Sequence, residues 1–311
     1  MIQLFVGICF LSMVLFRCVL VFCTFAVAMM NQPSTHTLFV SDMDGTLMGA
    51  DSRVSDRSTA IINDLIDHHQ LLFTIATART TATVVPLMRG IHATLPMIIL
   101  SGAVLWHPVE RRLTDARSID PLAVRQVCGL CERHGVHPMV YRQHGNVIHT
   151  HHCGTMADYE RQFVAARAHT PYKRFVLDDP DYATHADPTL LIFAMLKGDA
   201  LERVYADIRQ QVDCSAILYH DNTDPELALL EVYAPGCTKA AAMTRLAEQL
   251  QVGRVVAFGD NLNDMPMLEA ADHSVAVANA VPQVRELAHE VIGPNTADSV
   301  ALYLQRNASN V

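Results

Sequence analysis

The sequence predicts an α/β fold in which a doubly wound parallel sheet carries an inserted α/β domain. Apolar runs of strand length alternate with helical patterns along the chain, and this alternation is typical of parallel sheets covered by helices. Three of the apolar runs, at 38–40, 71–76 and 255–258, are followed closely by polar or acidic residues. Because the carboxyl ends of parallel strands meet at one crevice, these residues predict a functional site there.

The first elements of the core follow from two apolar runs and one capping residue. After the strand at 38–40, Ser55 predicts the start of a helix, because its hydroxyl can accept a hydrogen bond from a free N–H of the first turn. The run 71–76 predicts the next buried strand. The helix between them has one aliphatic face, formed by Ile61, Ile62, Leu65 and Ile66.

The spacing of the polar segments locates the inserted domain. Thr77 and Lys239 are 162 positions apart (239 − 77), far more than one crossover between parallel strands needs. We therefore predict a core at 33–108 and 226–311 and an inserted α/β domain at 109–225. Within the insertion, the pattern predicts helices at 121–133, 159–168 and 199–211, a hairpin over 139–141 and 146–148, and strands at 190–195 and 216–219.

The rest of the core repeats the alternation of strands and helices. Strands are predicted at 229–233, 255–258 and 275–277, and helices at 243–250, 266–271 and 281–289. The chain has 311 residues, of which 50% are hydrophobic and 18% are charged. This is enough apolar material for the large cores of about two domains.

Four short segments carry the residue types of a phosphoryl-transfer site. Asp42 and Asp44 follow the first strand, so that one carboxylate can attack while the other handles protons. Gly45 permits a sharp turn that a ligand can approach closely. Hard oxygen ligands suit Mg²⁺, and a lysine beside them suits a phosphoryl group. The other segments contribute Thr77 after the second strand, Lys239 after the strand at 229–233, and Asp260, Asn263 and Asp264 after the strand at 255–258.

In the order and spacing of these motifs, the chain resembles the phosphatases of the haloacid dehalogenase (HAD) superfamily, in their Cof-type branch. The resemblance extends from about Thr37 to about Leu304. It implies a Rossmann-like core with an inserted cap, and a Mg²⁺-dependent phosphatase that hydrolyses a small phosphate monoester through an aspartyl-phosphate. Sugar phosphates and phosphorylated cofactors, such as pyridoxal phosphate or flavin mononucleotide, are the substrates that this branch implies.

The resemblance also implies a role for each residue of the site. Asp42 would be the nucleophile, and Asp44 would protonate the leaving oxygen and then activate water. Thr77 would hold a phosphoryl oxygen, and Lys239 would neutralise charge on the nucleophile and the phosphoryl group. The implied metal ligands are Asp42, Asp44 through its backbone carbonyl, and Asp260, with Asp264 in support, and the implied substrate- or phosphate-binding residues are Thr77, Arg79, Ser101, Gly102, Lys239 and Asn263.

Two segments depart from the usual pattern of that family. Residues 77–79 read Thr-Ala-Arg where Thr-Gly-Arg is usual, and residues 101–103 read Ser-Gly-Ala where Asn-Gly-Ala is usual. Alanine is acceptable in backbone that is already helical, and serine stays polar but is shorter than asparagine. Both changes concern how the substrate is held, and neither replaces a predicted catalytic group.

Two other functions are alternatives to this interpretation. The first is a phosphomutase of the same fold, which an assay with a bisphosphorylated activator would reveal. The second is a membrane-tethered binding module with an inactive site, which would release no phosphate from any ester. The net charge is −9 and no stripe rich in Lys and Arg is present, which argues against nucleic acid as a partner. The predicted partner is a small phosphorylated metabolite, and no oligomeric state is predicted.

Residues 1–32 form an apolar leader that has three interpretations. Translation from Met29 or Met30 would leave a short lead into the first strand of a cytoplasmic protein. A membrane anchor is the alternative, because the run 1–30 is long enough to span a bilayer, although Arg17 lies in its middle. A cleaved secretory signal is the third, with Ala-Val-Ala at 26–28. A membrane is a partner only in the second interpretation.

The cysteines outside the leader bear on the compartment and on a second metal. These five cysteines show no spacing of a disulfide framework, which favours a reducing compartment. Cys128 and Cys131 form a C-x-x-C within a predicted helix, and residues 149–153 read His-Thr-His-His-Cys. A zinc site in the inserted domain is therefore an alternative to a merely polar surface at these residues.

Overall fold

The computed structural model describes residues 34–221 and 224–307. The leader at 1–32 lies outside these ranges, and its three interpretations therefore stay predictions. Within the described ranges, no helix combines the length and the apolar character that crossing a membrane requires.

Strands and helices alternate in the core as the sequence predicts, whereas elsewhere in the described chain several strands follow one another directly. The strands are β1 (Ser34–Ser41), β2 (Leu72–Ile75), β3 (Met97–Ile99), β4 (Val104–His107), β5 (Arg112–Thr114), β6 (Met139–His144), β7 (Val147–His151), β8 (Lys173–Val176), β9 (Thr189–Lys197), β10 (Ser215–His220), β11 (Leu227–Tyr233), β12 (Val252–Gly259), β13 (His273–Val277) and β14 (Glu290–Ile292). The helices are α1 (Asp56–His69), α2 (Thr81–Leu87), α3 (Pro121–Arg133), α4 (Asp158–Ala165), α5 (Ala200–Gln211), α6 (Lys239–Leu250), α7 (Met265–Ala270), α8 (Pro282–Leu287) and α9 (Ser299–Asn307).

The core is a parallel sheet with the strand order β14-β13-β12-β1-β2. β1 pairs in parallel with β2 on one side and with β12 on the other. Its residues Leu38, Phe39 and Val40 are all buried, as is usual for a parallel strand covered on both faces, and this explains the continuous apolar run. Because the strand order reverses at β1, a crevice opens beyond its carboxyl end. The predicted doubly wound α/β core is confirmed.

The helix predicted from Ser55 forms as α1. The Ser55 hydroxyl accepts a hydrogen bond from the Ser58 backbone N–H at 2.9 Å, and Ile62 and Leu65 on the predicted apolar face are buried. Towards the carboxyl end of the chain, the helix predicted at 281–289 is shorter. It forms as α8 and ends at Leu287, because Ala288 has an extended backbone (φ −67°, ψ 144°). The edge strand β14 follows at Glu290.

The inserted segment forms its own mostly antiparallel sheet, with the order β10-β11-β9-β6-β7-β8. The predicted hairpin is present as the antiparallel pair β6–β7, and the helix predicted at 121–133 has the bounds of α3. The helix predicted at 159–168 is the shorter α4. The sequence did not predict β8, because Lys-Arg-Phe-Val has neither alternation nor a continuous apolar run.

The strand β11 belongs to a different sheet from the one that the predicted domain boundary implies. A boundary between 225 and 226 places β11 in the core, whereas β11 pairs with β9 and β10 of the second sheet. Its residues are buried throughout, so periodicity does not tell which sheet it joins. We propose that the chain returns to the core after Tyr233, and we call the unit built on the second sheet the cap.

Candidate active site

The carboxyl end of β1 places Asp42 in the crevice. The Asp42 backbone N–H donates to the Phe258 carbonyl of β12 at 3.0 Å, which ties the end of β1 to the neighbouring strand. The next residues turn sharply. Gly45 has a φ of +81°, and a Cβ there would collide with the Asp260 carboxylate. Thr46 donates from its hydroxyl to Asp260 Oδ1 at 2.7 Å. The turn therefore brings the segments after β1 and β12 into contact.

Lys239 lies between two buried carboxylates. Its Nζ is 2.5 Å from Asp42 Oδ1 and 2.8 Å from Asp264 Oδ1, and the three side chains are between 1% and 7% exposed. The Thr238 hydroxyl accepts from the Ala241 N–H at 3.1 Å, which caps α6 and positions Lys239 as its first residue. Burial disfavours the charged amine, but Asp42 and Asp264 outweigh it and hold the pKa of Lys239 above its usual range.

Both carboxylate oxygens of Asp264 accept hydrogen bonds from neighbouring residues. Its Oδ1 pairs with Lys239, and its Oδ2 accepts hydrogen bonds from the backbone N–H groups of Asp260 and Asn261, both at 3.1 Å. These contacts hold the loop after β12 against the start of α6. Asp264 thus positions other groups of the site, as a carboxylate with both oxygens occupied can do.

Three carboxylates converge closely enough for a cation. Oxygen atoms of Asp42, Asp260 and Asp264 lie within 4.8 Å of one another. Burial raises the pKa of Asp42 to about 7, against the lowering effect of Lys239, and burial raises the pKa of Asp260 to about 6. Clustered oxygen donors that are costly to leave charged fit a hard divalent ion such as Mg²⁺.

Asp44 and Arg79 form a bidentate ion pair at the edge of the crevice. Arg79 Nε and Nη2 donate to the two Asp44 oxygens at 2.7 and 2.6 Å, and the Asp44 side chain is 49% exposed. Arg79 is therefore engaged with the second carboxylate of the first motif. Thr77 lies beneath this pair, fully buried, and its hydroxyl accepts from the Arg79 N–H at 3.2 Å.

The other predicted binding residues lie at different distances from this centre. The Ser101 N–H donates to the Thr77 carbonyl at 3.0 Å, so that the two predicted polar segments are adjacent. Gly102 has a φ of +97°, and a Cβ there would collide with the Thr238 carbonyl, so glycine allows α6 to approach. Asn263 is exposed, and within the described ranges its side chain makes no hydrogen bond to Lys239.

Sequence reasoning missed Asn279, which holds the first turn from the other side. Its amide Nδ2 donates to the Gly45 carbonyl at 2.8 Å, and the nearby Val281 N–H donates to the Asp260 carbonyl at 2.9 Å. Asn279 follows the carboxyl end of β13. The signal that identified the other motifs, a polar residue just after a buried strand, was therefore present here as well.

A cavity of about 460 Å³ separates the core site from the cap. Asp44, Arg79 and Thr80 line it from the core side, and residues of the cap sheet and of α4 line it from the other side. Among its lining residues, Ala78 is exposed where the related family carries glycine. The size is appropriate for a small molecule rather than a polymer.

The cysteines and the histidines of the zinc alternative differ in what they offer a metal. Cys128 and Cys131 are buried in α3, and burial raises the pKa of the Cys128 thiol to about 12, which opposes the thiolate that zinc requires. His151 and His185 both contact Asp179 Oδ2, at 2.6 and 2.7 Å. These are hydrogen-bond distances, but ligand atoms of His151, Asp179 and His185 also lie within 4.8 Å of one another, close enough to hold a metal ion. A zinc site at these histidines therefore stays a prediction.

Comparisons with known proteins show the family of the chain. Residues 39–304 match the family described as haloacid dehalogenase-like hydrolase. The pyridoxal phosphate phosphatase YbhA of Escherichia coli (strain K12) is 27% identical over 291 residues, covering 87% of this chain and 98% of that protein. The 5-amino-6-(5-phospho-D-ribitylamino)uracil phosphatase YitU of Bacillus subtilis (strain 168) is 24% identical over 273 residues, covering 86% and 96%.

A solved structure shows the same fold. A haloacid dehalogenase-like hydrolase from Bacteroides thetaiotaomicron superposes with a TM-score of 0.71 at 20% identity, covering 87% of this chain and 99% of that one. The family match spans most of the chain. The chain therefore belongs to the haloacid dehalogenase-like hydrolases, in the Cof-type phosphatase branch, which makes it an enzyme of the phosphoric monoester hydrolase class.

Proposed function

We propose that this protein hydrolyses a small phosphate monoester through a covalent phosphoryl intermediate on Asp42. One observation carries the proposal. A buried carboxylate, Asp42, contacts the ammonium of Lys239 at 2.5 Å, and two residues later Asp44 opens into a cavity of small-molecule size. A nucleophile paired with a cation, beside a second carboxylate that reaches the solvent, is what stepwise phosphoryl transfer needs.

Mg²⁺ is the cofactor that the donor set fits. Asp42 contacts Lys239 through Oδ1, and Asp260 contacts Thr46 through Oδ1, so neither contact uses an Oδ2 atom. We propose that these two Oδ2 atoms bind the ion together with the backbone carbonyl of Asp44. Asp264 would support the metal site indirectly, since both of its oxygens are engaged. When bound, the ion would offset the repulsion between the attacking carboxylate and the phosphate.

The proposed reaction has two steps. In the first, an Asp42 oxygen bonds to phosphorus while the bond from phosphorus to the leaving oxygen breaks, and Asp44 donates a proton to that oxygen. In the second, Asp44 takes a proton from water, whose oxygen bonds to phosphorus as the bond to Asp42 breaks. Inorganic phosphate leaves, and both side chains return to their starting states. Asp44 must release Arg79 in this cycle, because both of its oxygens are paired with that side chain.

The remaining charged and polar groups would hold the phosphoryl group. Lys239 would balance the negative charge on Asp42 and on the transferring oxygens. We propose that Thr77, Ser101 and the backbone at Gly102 bind the phosphoryl oxygens. Arg79 would bind the substrate after Asp44 has left it and turned towards the substrate. Asn263 is the least supported of the predicted residues, since it is exposed.

The relatives support a small metabolite as the substrate. YbhA is named for pyridoxal phosphate and YitU for 5-amino-6-(5-phospho-D-ribitylamino)uracil. Both names describe small phosphorylated molecules, and a cavity of about 460 Å³ is of a matching size. We propose a substrate of this size for the present enzyme as well.

The substitution Asp42→Asn tests the proposed nucleophile. Phosphate release from a panel of phosphorylated metabolites, with Mg²⁺, should fall by a factor of about 10³ or more, because an amide cannot form the acyl phosphate. Acid-quenched wild-type enzyme should retain label from a ³²P-ester, and the variant should not. Asp51→Asn changes an exposed aspartate of the following loop and should match the wild type. Turnover near the wild-type rate in Asp42→Asn would contradict the mechanism.

A further inference from the structure

One face of the cap sheet forms the roof of the cavity. Because side chains alternate between the faces of a strand, residues two apart lie on one side, and the cavity is lined by Leu191 and Phe193 of β9 and by Leu229 and Glu231 of β11. Tyr141 of β6 lies on the same face. The roof of the cavity is therefore a continuous surface that faces the phosphoryl site.

Four aromatic side chains lie in the roof. Tyr141 packs edge-on against Phe193, with ring centroids 6.3 Å apart, and Phe163 of α4 stacks on Phe193 at 5.3 Å. Tyr219 of β10 is the fourth aromatic residue, and Asp221 lines the cavity just after this strand. Aromatic walls of this kind offer flat apolar faces and few hydrogen bonds. They suit a flat ring better than a polyhydroxylated chain.

Lys173 extends into this aromatic surface without a hydrogen-bond partner. It is the first residue of β8 and is 3% exposed. Its Nζ lies 4.0 Å from the Tyr141 centroid and 4.6 Å from that of Phe175. Within the described ranges, Nζ makes no hydrogen bond and no ion pair to a carboxylate.

The contacts with the rings do not account for a buried amine at this position. A cation over an aromatic face gains up to about 2 kcal/mol, whereas burying an ammonium group without a hydrogen bond costs more than that. Burial, with the nearby Arg167, lowers the pKa of Lys173 well below its usual range. An apolar residue would fill the same volume without this cost, which points to a ligand for the amine.

The charges around Lys173 leave room for an anion. Of the other charged groups that line the cavity, Asp44 pairs with Arg79. Glu231 accepts hydrogen bonds from two tyrosine hydroxyls, at 3.0 and 2.7 Å, and Asp221 accepts one from the Asp224 backbone N–H at 3.0 Å. Arg167 stacks on Phe163, 3.9 Å from its centroid, and donates to the Phe163 carbonyl. Lys173 and Arg167 are thus two cations on the cap side that have no ion pair with a carboxylate in the described part of the chain.

We propose that Lys173 is a specificity-determining residue that binds the carboxylate of a flat aromatic leaving group. The inference rests on the proposed phosphatase function and concerns the part of the substrate that the reaction releases. Phe163, Phe193 and Tyr141 would hold the ring, and Arg167 would add positive charge beside the anion. The phosphoryl group would lie at the opposite end of the cavity, near Asp44.

Binding of non-hydrolysable analogues tests this without turnover. The probes are phenylphosphonate and its 3- and 4-carboxy derivatives, titrated by calorimetry in the presence of Mg²⁺. In the wild type, one of the carboxylates should improve the dissociation constant by about 10- to 100-fold over phenylphosphonate, as a charged hydrogen bond does. In Lys173→Met, most of this gain should be lost, while phenylphosphonate binds within about threefold of its wild-type affinity.

Arg174→Met is the matched control. Arg174 is the next residue of β8 and is exposed, so the control removes the same charge from the opposite face of the strand. It should retain the full carboxylate gain. Lys173→Met should also melt at a higher temperature than the wild type, because methionine buries no polar nitrogen that lacks a hydrogen-bond partner. A lower melting temperature, with an equal loss of affinity for all three phosphonates, would assign Lys173 a structural role and overturn the proposal.

Turnover separates the leaving-group class from the phosphatase function. The enzyme should hydrolyse the better carboxyphenyl phosphate with a kcat/KM about tenfold or more above that of glucose 6-phosphate. A preference for glucose 6-phosphate, or no gain from either carboxylate in the wild type, would overturn the proposal about Lys173. If no ester releases phosphate although the carboxylated phosphonate binds through Lys173, the proposed function is wrong and the anion site stands.

Discussion

Replacing Lys239 by methionine tests the buried charge cluster at the centre of the site. The Lys239 ammonium lies 2.5 Å from Asp42 and 2.8 Å from Asp264, and all three side chains are buried. Methionine resembles the apolar stem of lysine but carries no charge, so two carboxylates would stay buried without a cation. The effect of the substitution is therefore mainly electrostatic.

The expected loss of stability is large. Removing one partner of a buried ion pair costs about 3–5 kcal/mol, which corresponds to a fall in melting temperature of about 6–20 °C for a protein of this size. The loss should depend on pH. Burial raises the pKa of Asp42 to about 7 even beside Lys239, and without the cation this folded-state pKa should lie still further above its unfolded value. The variant then binds more protons when folded and regains stability as the pH falls.

Urea denaturation with a metal chelator, at pH 8 and at pH 5.5, measures this loss. Lys197→Met is the matched control, because Lys197 pairs with Asp224 at a similar 2.7 Å but is 45% exposed, and exposed pairs contribute about 0–1 kcal/mol. A loss in Lys239→Met no greater than in the control would refute the electrostatic account of the site. A loss of the same size at both pH values would refute it equally.

Two further predictions concern the metal site. Gly45→Ala should destabilise the fold by about 1–3 kcal/mol and weaken Mg²⁺ binding measured by calorimetry, because φ is +81° and the new Cβ would displace the Asp260 carboxylate. Gly145→Ala is the control, because Gly145 also has a positive φ (+58°) but has open space around the position of a Cβ. This variant should keep the Mg²⁺ affinity of the wild type. Equal affinities in the two variants would contradict the predicted displacement of the Asp260 carboxylate. In the wild type, Mg²⁺ affinity should fall by about tenfold or more between pH 8 and pH 5.5, since protons compete for Asp42 and Asp260, whose pKa values burial raises to about 7 and about 6. An affinity that stays constant over this range would show that the metal-binding carboxylates do not titrate between pH 5.5 and pH 8, and would contradict the raised pKa values of Asp42 and Asp260.

The sequence alone was sufficient for the parallel core and for the motifs at its strand ends. Each motif is local, since a buried apolar run is followed within a few residues by the polar group that it positions, as at Asp42, Thr77 and Asp260. Asn279 obeys the same rule after β13 and was predictable in principle. The packing of parallel strands brings their carboxyl ends together, so a linear pattern was enough to predict these residues as neighbours.

Other features of the molecule depend on contacts between distant segments. The sheet that β11 joins could not be predicted, because its residues are buried throughout and an apolar strand fits either sheet. The pairing of Asp44 with Arg79 and the engagement of both Asp264 oxygens depend on side-chain positions that no spacing specifies.

The cap side of the cavity is the clearest case of a site that only the tertiary structure decided. Lys173 begins a strand that the sequence did not predict, and its amine reaches the ring of Tyr141 two strands away in the sheet. Phe163 and Phe193 come from a helix and a strand about thirty residues apart. An isolated lysine in a polar segment is usually solvated, and only the folding of β8 against β7 buries this one without a partner.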